Sequence, residues 1–345
     1  MAIDSHGAAD VSDTAMAAGR TGARASSRTK AHSARWRWVA DWAKVRPGTL
    51  RLADALGRGR GRLRMLDEWR GFAPPAGLRP DCSTWDQLGD GELAVAWLGH
   101  ATMLIRVGGM TVLTDPVLSD RIGLGLGLLT AGPQRHLAPA LSVSELPAID
   151  LILLSHAHFD HLDRPTLVRL NKSVPVVTAS RTSDLVSDLG FRHVRELRWG
   201  ESCRLGPLLI TSHRVRHWGA RTFYDTYRGY NSYLLESSRS RVLFGGDTAF
   251  QEDFRDLTRV DMAIMGIGAY NPWVQSHATP EQAWDMANHA RADWIVPMHH
   301  STFKLSYEPV TEPLERILTA AGGGVDRIAI QRIGQTWRSS TPATT

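Results

Sequence analysis

"LILLSHAHFDHLD", residues 151–163, decides how the rest of the chain is read. Four aliphatic residues, Leu151 to Leu154, run into His156, His158, Asp160, His161 and Asp163. A short apolar run stopped by polar residues reads as a buried strand. The loop after it is dense in imidazole and carboxylate, donors that suit zinc and its first-row neighbours. In extended chain, residues i and i+2 share a side, so His156 and His158 can chelate one ion. Asp160 and His161 follow as the chain turns toward a helix and can serve a neighbouring ion.

Such a cluster needs partners from elsewhere in the chain. Three stretches offer them, each just beyond another expected strand. "LLITSHRVRHWGAR" supplies His213 and His217; "RVLFGGDTAF" supplies Asp247 behind two glycines that let the backbone turn tightly; "DWIVPMHHSTF" supplies His299 and His300. One edge of a sheet thereby collects the polar groups of a two-metal centre.

The surrounding pattern is a strand-rich α/β chain. "LAVAWLGH" and "TMLIRVGGMTVLTDP" read as successive strands, the latter pair turned at Gly108-Gly109. Further strands are expected at 150–155, 174–178, 207–212, 231–236, 241–245, 261–265, 293–298 and 327–331. Helical patterns, "RPTLVRL", "TSDLVSDLG", "PEQAWDMANHAR" and "TEPLERILTAAG", are interleaved with the later ones, and Thr279 before Pro280 is a helix cap. A meander followed by alternating strands and helices predicts a pair of mixed sheets flanked by helices.

HxHxDH at 156–161 resembles the signature of the metallo-β-lactamase superfamily, an αββα sandwich of hydrolases. Within it, "WLGHAT" at 97–102, "LTDP" at 113–116, "GP" at 132–133, "HW" at 217–218, "GGDT" at 245–248, "QSHATPEQA" at 275–283 and "HHSTF" at 299–303 are similar to motifs of the N-acylphosphatidylethanolamine-hydrolysing phospholipase D family. The resemblance spans roughly residues 93–305. It implies that His156, His158 and His217 hold one metal, that Asp160, His161 and His299 hold a second, and that Asp247 bridges them. It favours His217 over His213, because Trp218 follows, and His299 over His300, because "STF" then falls in register. It places His277 beside the substrate phosphate. His100 is expected to orient a loop or a carboxylate, and Asp115 and Asp163 to support ligands or form turns rather than bind metal.

Two divalent ions, Zn2+ with Mn2+ or Fe2+ as alternatives, would lower the pKa of a water between them toward neutrality, and the metal-bound hydroxide would attack. Hydrolysis of an ester-type bond, a phosphodiester first, is expected, and the resemblance implies a phosphodiesterase of phospholipase D type acting on N-acylphosphatidylethanolamine-like lipids. Asp160 and His277 are its candidate catalytic residues, and His277 contacts the substrate or protonates the leaving oxygen. A lactonase or other ester hydrolase on the same centre is the alternative. A ribonuclease would need a clamping arm that the sequence does not offer, so no nucleic acid is expected as partner; a non-enzymatic sensor would not need the whole ligand set.

Composition sets the frame for these expectations. The 345 residues are 43% hydrophobic, enough for one large α/β domain or two small ones. Cys82 and Cys203 form no CxxC pair, which argues against a disulfide framework or a cysteine zinc finger. No apolar run reaches the length of a membrane-spanning helix, and no secretory signal is read at the start, so the cytoplasm is expected. Residues 1–80 carry 15 Arg or Lys against 7 Asp or Glu, a balance of +8 that leaves −3 for 81–345. They read as a basic, partly disordered extension with short amphipathic helices, which pack on the hydrolase domain of 81–345 or touch a membrane surface. The glycine-rich run "RIGLGLGLLTAGP" at 121–133 reads as a buried loop or a lip for acyl chains.

Overall fold

The run Leu151–Leu154 forms a strand whose side chains enter two different cores. Leu151 and Leu153 face one, Ile152 and Leu154 the other. Successive strand residues point to opposite faces, so a sheet covered on both sides needs apolar residues at every position. That is why this strand's sequence is continuous rather than alternating. The computed structural model describes residues 78–80, 82, 85–126 and 129–339. The expected extension thus lies outside the described residues, apart from 78–80.

Strands are numbered in chain order. A seven-stranded sheet runs β15 (Thr336–Arg338), β1 (Ala94–Gly99), β2 (Thr102–Val107), β3 (Met110–Thr114), β6 (Leu151–Leu154), β7 (Val176–Ala179), β8 (Val194–Leu197). A six-stranded sheet runs β14 (Trp294–Met298), β13 (Met262–Gly266), β12 (Arg241–Phe244), β11 (Ser232–Glu236), β10 (Leu208–His213), β9 (Ser202–Leu205). β4 (Leu124–Leu126) and β5 (Leu129–Ala131) form a separate small hairpin. Both large sheets are mixed: β3, β6, β7 and β8 pair in parallel, as do β12, β13 and β14.

Three apolar layers follow from this register. Val95, Trp97, Met103 and Ile105 meet Ile210, Leu235, Phe244, Ile264 and Met298 between the sheets. Helices α1 (Arg164–Arg169) and α2 (Asp184–Ser187) cover the outer face of the first sheet through Leu167 and Val186. Helices α3 (Pro280–His289) and α4 (Glu312–Ala321) cover the second through Ala283, Met286, Ala287 and Ile317. The architecture is an αββα sandwich. Among the described residues no helix is long and apolar enough to cross a membrane.

Local chemistry sets the element ends. Gly108 and Gly109 both have positive φ, +56° and +73°, and join β2 to β3 as a two-residue turn matched to strand twist. Thr279 accepts from Gln282 N, and the Gln282 side chain returns the bond to Thr279 N, a capping box that starts α3 at Pro280. Asp163 caps α1 by accepting from Thr166. The structure corrects the strand expected at 327–331: a 3-10 turn occupies Gly322–Arg327, and only Ile328 makes a single bridge, to Ile295. The run 121–133 is neither plain loop nor wholly buried, since it carries the β4–β5 hairpin with Ile122 buried and Leu124 exposed.

Candidate metal centre

The carboxyl ends of β3, β6, β12 and β14 reach one edge of the sandwich, and the polar residues begin where these strands stop. Asp115 follows β3, His156 to His161 follow β6, Asp247 follows β12, and His299 follows β14. His217 arrives four residues after β10, and His100 directly after β1. Gly246, at φ +56°, turns the chain sharply before Asp247; a Cβ there would sit 2.8 Å from Asn231 O. His100, Asp115 and His299 also have positive φ, 54°, 34° and 63°. Non-glycine residues hold such conformations only where surrounding bonds impose them.

Two donor sets meet at Asp247. In the first, His156 Nε2, His158 Nδ1 and His217 Nε2 converge: His158 Nδ1 is 2.8 Å from the former and 3.3 Å from the latter. Asp247 Oδ2 lies 3.9 Å from His156 Nε2 and 3.7 Å from His217 Nε2. In the second, Asp160 Oδ2 lies 3.5 Å from His161 Nε2 and 3.3 Å from His299 Nε2, and both nitrogens lie 3.2 Å from Asp247 Oδ2. The candidate ligand atoms within each set fall within 4.8 Å of one another.

The tautomers follow from outward bonds. His217 Nδ1 is 3.0 Å from Ser276 O, which can only accept, so Nδ1 carries the proton and Nε2 keeps its lone pair. Asp115 does the same for two ligands. Its Oδ2 accepts from His161 Nδ1 at 2.7 Å and from Ser155 Oγ at 2.6 Å, and Ser155 Oγ then accepts from His156 Nδ1 at 2.9 Å. Ser155 N, at 2.7 Å, holds Asp115 Oδ1. His100 Nε2 holds Asp160 Oδ2 at 2.9 Å. Arg221 reaches across from the segment after Trp218; one Nη1 donates to Ala157 O at 2.9 Å and Leu162 O at 2.7 Å, fastening both ends of the histidine loop.

Charge supports a cation reading. Burial, reinforced by His161, holds His156 well below the ordinary imidazole value. Burial likewise lowers His158 to about 4 and His217 to about 3, so all three are neutral ligands at pH 7. Burial alone would raise Asp247 and Asp160, yet the neighbouring imidazoles, His161 foremost, hold both well below the usual carboxylate range. His161 and His299 go the other way. Burial pulls them down, but Asp247 leads the carboxylates that lift His161 well above the usual value and His299 to about 9. The two inward-facing carboxylates thus favour positive charge at this place. His161 Nε2 and both Asp247 oxygens are buried with no hydrogen-bond partner. Buried polar atoms without partners call for an ion or water between them. The donor set, nitrogen and carboxylate oxygen, fits first-row divalent cations.

His213 stays on β10 outside both sets, and His300 lies tilted against Trp97 with ring centres 4.6 Å apart. His100 and His277 stay close to the donor atoms: His100 groups with Asp160, His161 and His299, and His277 with Asp247 and His299. His277 is buried, its Nδ1 3.7 Å from Asp247 Oδ2 and its ring 5.0 Å from His217 and 5.4 Å from His299. Trp218 stands edge-on at 4.6 Å from His158. Sequence reasoning did not single out Ser155 or Arg221. Nothing distinguishes that serine, or one arginine in an arginine-rich chain, until the fold brings them to the loop.

Comparison with known proteins agrees with this fold. The family model for the beta-lactamase superfamily domain matches residues 110–300. An uncharacterised protein of Mycobacterium tuberculosis is 33% identical over 257 residues, 71% of this chain and 68% of that protein. An N-acyl-phosphatidylethanolamine-hydrolyzing phospholipase D of Caenorhabditis elegans is 29% identical over 248 residues, 65% and 68% of the two chains. Among solved structures, a metallo hydrolase from the archaeon Ignicoccus hospitalis superposes with a TM-score of 0.56 at 18% identity, covering 73% of this chain and 100% of that one.

Proposed function

This chain belongs to the metallo-β-lactamase superfamily of hydrolases, and from that premise we propose that it is a two-cation phosphodiesterase of phospholipase D type, acting on N-acylphosphatidylethanolamine-like lipids. The observation that carries the reading is Asp247, a buried carboxylate with both oxygens unpartnered, set between a three-histidine cluster and the Asp160–His161–His299 cluster. The 29% identity to an N-acyl-phosphatidylethanolamine-hydrolyzing phospholipase D of Caenorhabditis elegans supports the phosphodiester choice. Zinc suits the donor set first, with manganese and iron as alternatives.

His156, His158 and His217 would hold one cation, Asp160, His161 and His299 the other, and Asp247 both. Divalent cations so held supply Lewis acidity, ionising water near neutral pH and stabilising charge on a phosphoryl oxygen. The protein's own residues do the rest. Asp115 and Ser155 hold the rings of His156 and His161 with Nε2 inward, and His100 fixes the carboxylate of Asp160. Trp218 packs against the rings of His158 and His217. Burial lowers His277 to about 3, so it stands neutral at pH 7. A neutral imidazole suits a hydrogen bond to a substrate oxygen better than protonation of the leaving group.

The same centre would also serve a lactone or carboxylic ester, and the carbonyl chemistry needs no different residues. A panel of bis-p-nitrophenyl phosphate, an N-acylphosphatidylethanolamine and an acyl lactone, run on cation-loaded protein, separates the two. Turnover of both phosphodiesters with release of phosphatidic acid from the lipid is expected. Turnover of the lactone alone would transfer the protein to the lactonase reading.

A further inference from the structure

The segment between Trp218 and Tyr230 takes no part in holding the donor sets except through Arg221, yet it is heavily fastened. Its two ends touch: a Cβ on Gly219 would lie 2.4 Å from both Arg228 O and Gly229 O, so only glycine allows the crossing. Arg228 donates to Asp225 at 2.6 Å, to Asp184 at 2.5 Å and to Arg181 O at 2.7 Å, tying the loop to α2 and the turn before it. Asp225 accepts from Thr222 N at 2.6 Å, and Gly229 N donates to Ser180 O at 2.7 Å. Arg221 joins the same loop to the histidine loop and stacks over Phe159, 4.0 Å from its ring centre.

What this scaffold presents outward is aromatic. Phe223 is 60% exposed, Tyr224 93% and Tyr227 53%, with Trp199 alongside donating to Tyr230 O. Large aromatics held outward on a fixed base mark an interaction site. Their setting is cationic. Arg228 is neutralised by Asp184 and Asp225, but the exposed Arg181 and Arg214 lie against the Tyr227 and Trp199 rings, each at 5.7 Å. Tyrosine and tryptophan rings flanked by guanidinium groups match the headgroup layer of an anionic membrane, where rings enter the interface and cations meet phosphate.

We propose that the loop 219–229 docks this protein onto an anionic lipid surface, beside the mouth of the metal centre. The proposal deepens the lipid phosphodiesterase reading and rests on it for its purpose, though not for its evidence. Docking through a loop rooted on Trp218 and Arg221 would deliver a bilayer lipid to the cation site without its leaving the interface.

The test is flotation of the full chain with phosphatidylcholine vesicles, with and without added phosphatidylglycerol, for wild type and for the triple variant Phe223→Ser, Tyr224→Ser, Tyr227→Ser. Cation content and melting temperature of the variant should equal those of wild type, which shows the site and fold intact without reference to any substrate. Wild type is expected to bind the anionic vesicles and the triple variant at least about tenfold less; Arg181→Glu should also weaken binding, by about fivefold or more. Equal binding of variant and wild type would overturn the proposal, since the basic first 80 residues would then account for it. No binding by wild type would overturn it too, as would wild-type self-association that the triple variant abolishes. Loop-dependent binding by a protein that hydrolyses no phosphodiester would leave the docking surface standing and remove only the substrate reading.

Discussion

Replacing Asp115 by Asn isolates what the carboxylate contributes to the centre without touching a ligand. Asn matches its shape, and the amide oxygen can still accept from Ser155 N. The amide nitrogen then occupies the position of Oδ2, 2.7 Å from His161 Nδ1 and 2.6 Å from Ser155 Oγ, where two donors now point. Relief requires His161 to accept at Nδ1, which moves its proton to Nε2, the atom aimed at Asp247. Relief through Ser155 reverses that hydroxyl and takes the acceptor from His156. Either way one or both cation sets lose a correctly oriented ring. Outer partners of metal-binding histidines are worth about 10–100-fold in affinity, or about 1.4–2.7 kcal/mol. The cation-free fold should lose at most about 1.5–3 kcal/mol, the range for a hydrogen bond to a charged group. Burial raises the Asp115 pKa against the pull of His161 and Ser155, so removing its charge also recovers desolvation energy. Competition against a chromophoric chelator measures the affinity, and urea unfolding in chelator measures the fold. A folded Asp115→Asn protein binding cations within threefold of wild type would refute the orienting role.

Four further outcomes follow from the same contacts. Asp247→Asn should lower both cation content and turnover severely, since it weakens the one group facing both donor sets; normal stoichiometry by elemental analysis would contradict that. Arg221→Ala frees the carbonyls of Ala157 and Leu162 and should cost about 1–3 kcal/mol of stability by urea unfolding, with weaker cation binding alongside. Against the pull of burial, Asp247 and Asp160 push His299 up to about 9, so cation affinity should rise with pH up to about 9 as that proton is surrendered; calorimetry in buffers of different ionisation enthalpy should detect proton release at pH 7. Arg228 holds Asp184 below its ordinary value, and outweighs burial to do the same for Asp225. Depressed carboxylates stabilise above the unfolded value of about 3.9 and lose that contribution as pH falls through the folded values. The stability gap between wild type and Arg228→Met should therefore close in acid, which unfolding curves at neutral pH and near pH 2 would show.

The parts of the fold legible from the sequence are those with a dense signal. Leu151–Leu154 and Trp294–Met298 are apolar throughout, Arg241–Phe244 is apolar after its first residue, and each is followed by a stretch holding candidate ligands. The hairpin at Gly108-Gly109 and the cap at Thr279 are fixed by local chemistry and need no tertiary help. What escaped reading has short or mixed patterns. β8 (VREL) and β9 (SCRL) lie at sheet edges with residues only partly buried, and β15 has three residues. "RIAIQ" at 327–331 has strand composition but follows a 3-10 turn and pairs only at Ile328. At the site, the spacing of HxHxDH points to a metal loop and the resemblance, through Trp218, to His217 rather than His213; the structure brings His156, His158 and His217 together with Asp247. The Asp115–Ser155 relay and the Arg221 clamp depend on residues 40 and 64 positions apart meeting in space, which no local pattern announces.

The central claim is that two cations share Asp247. Anomalous difference maps from crystals grown with zinc, recorded on either side of its absorption edge, test it directly. Two peaks are predicted, both in contact with the Asp247 carboxylate, one ringed by His156, His158 and His217 and the other by Asp160, His161 and His299. A single peak away from Asp247, or density at His213 or His300 instead, would contradict it.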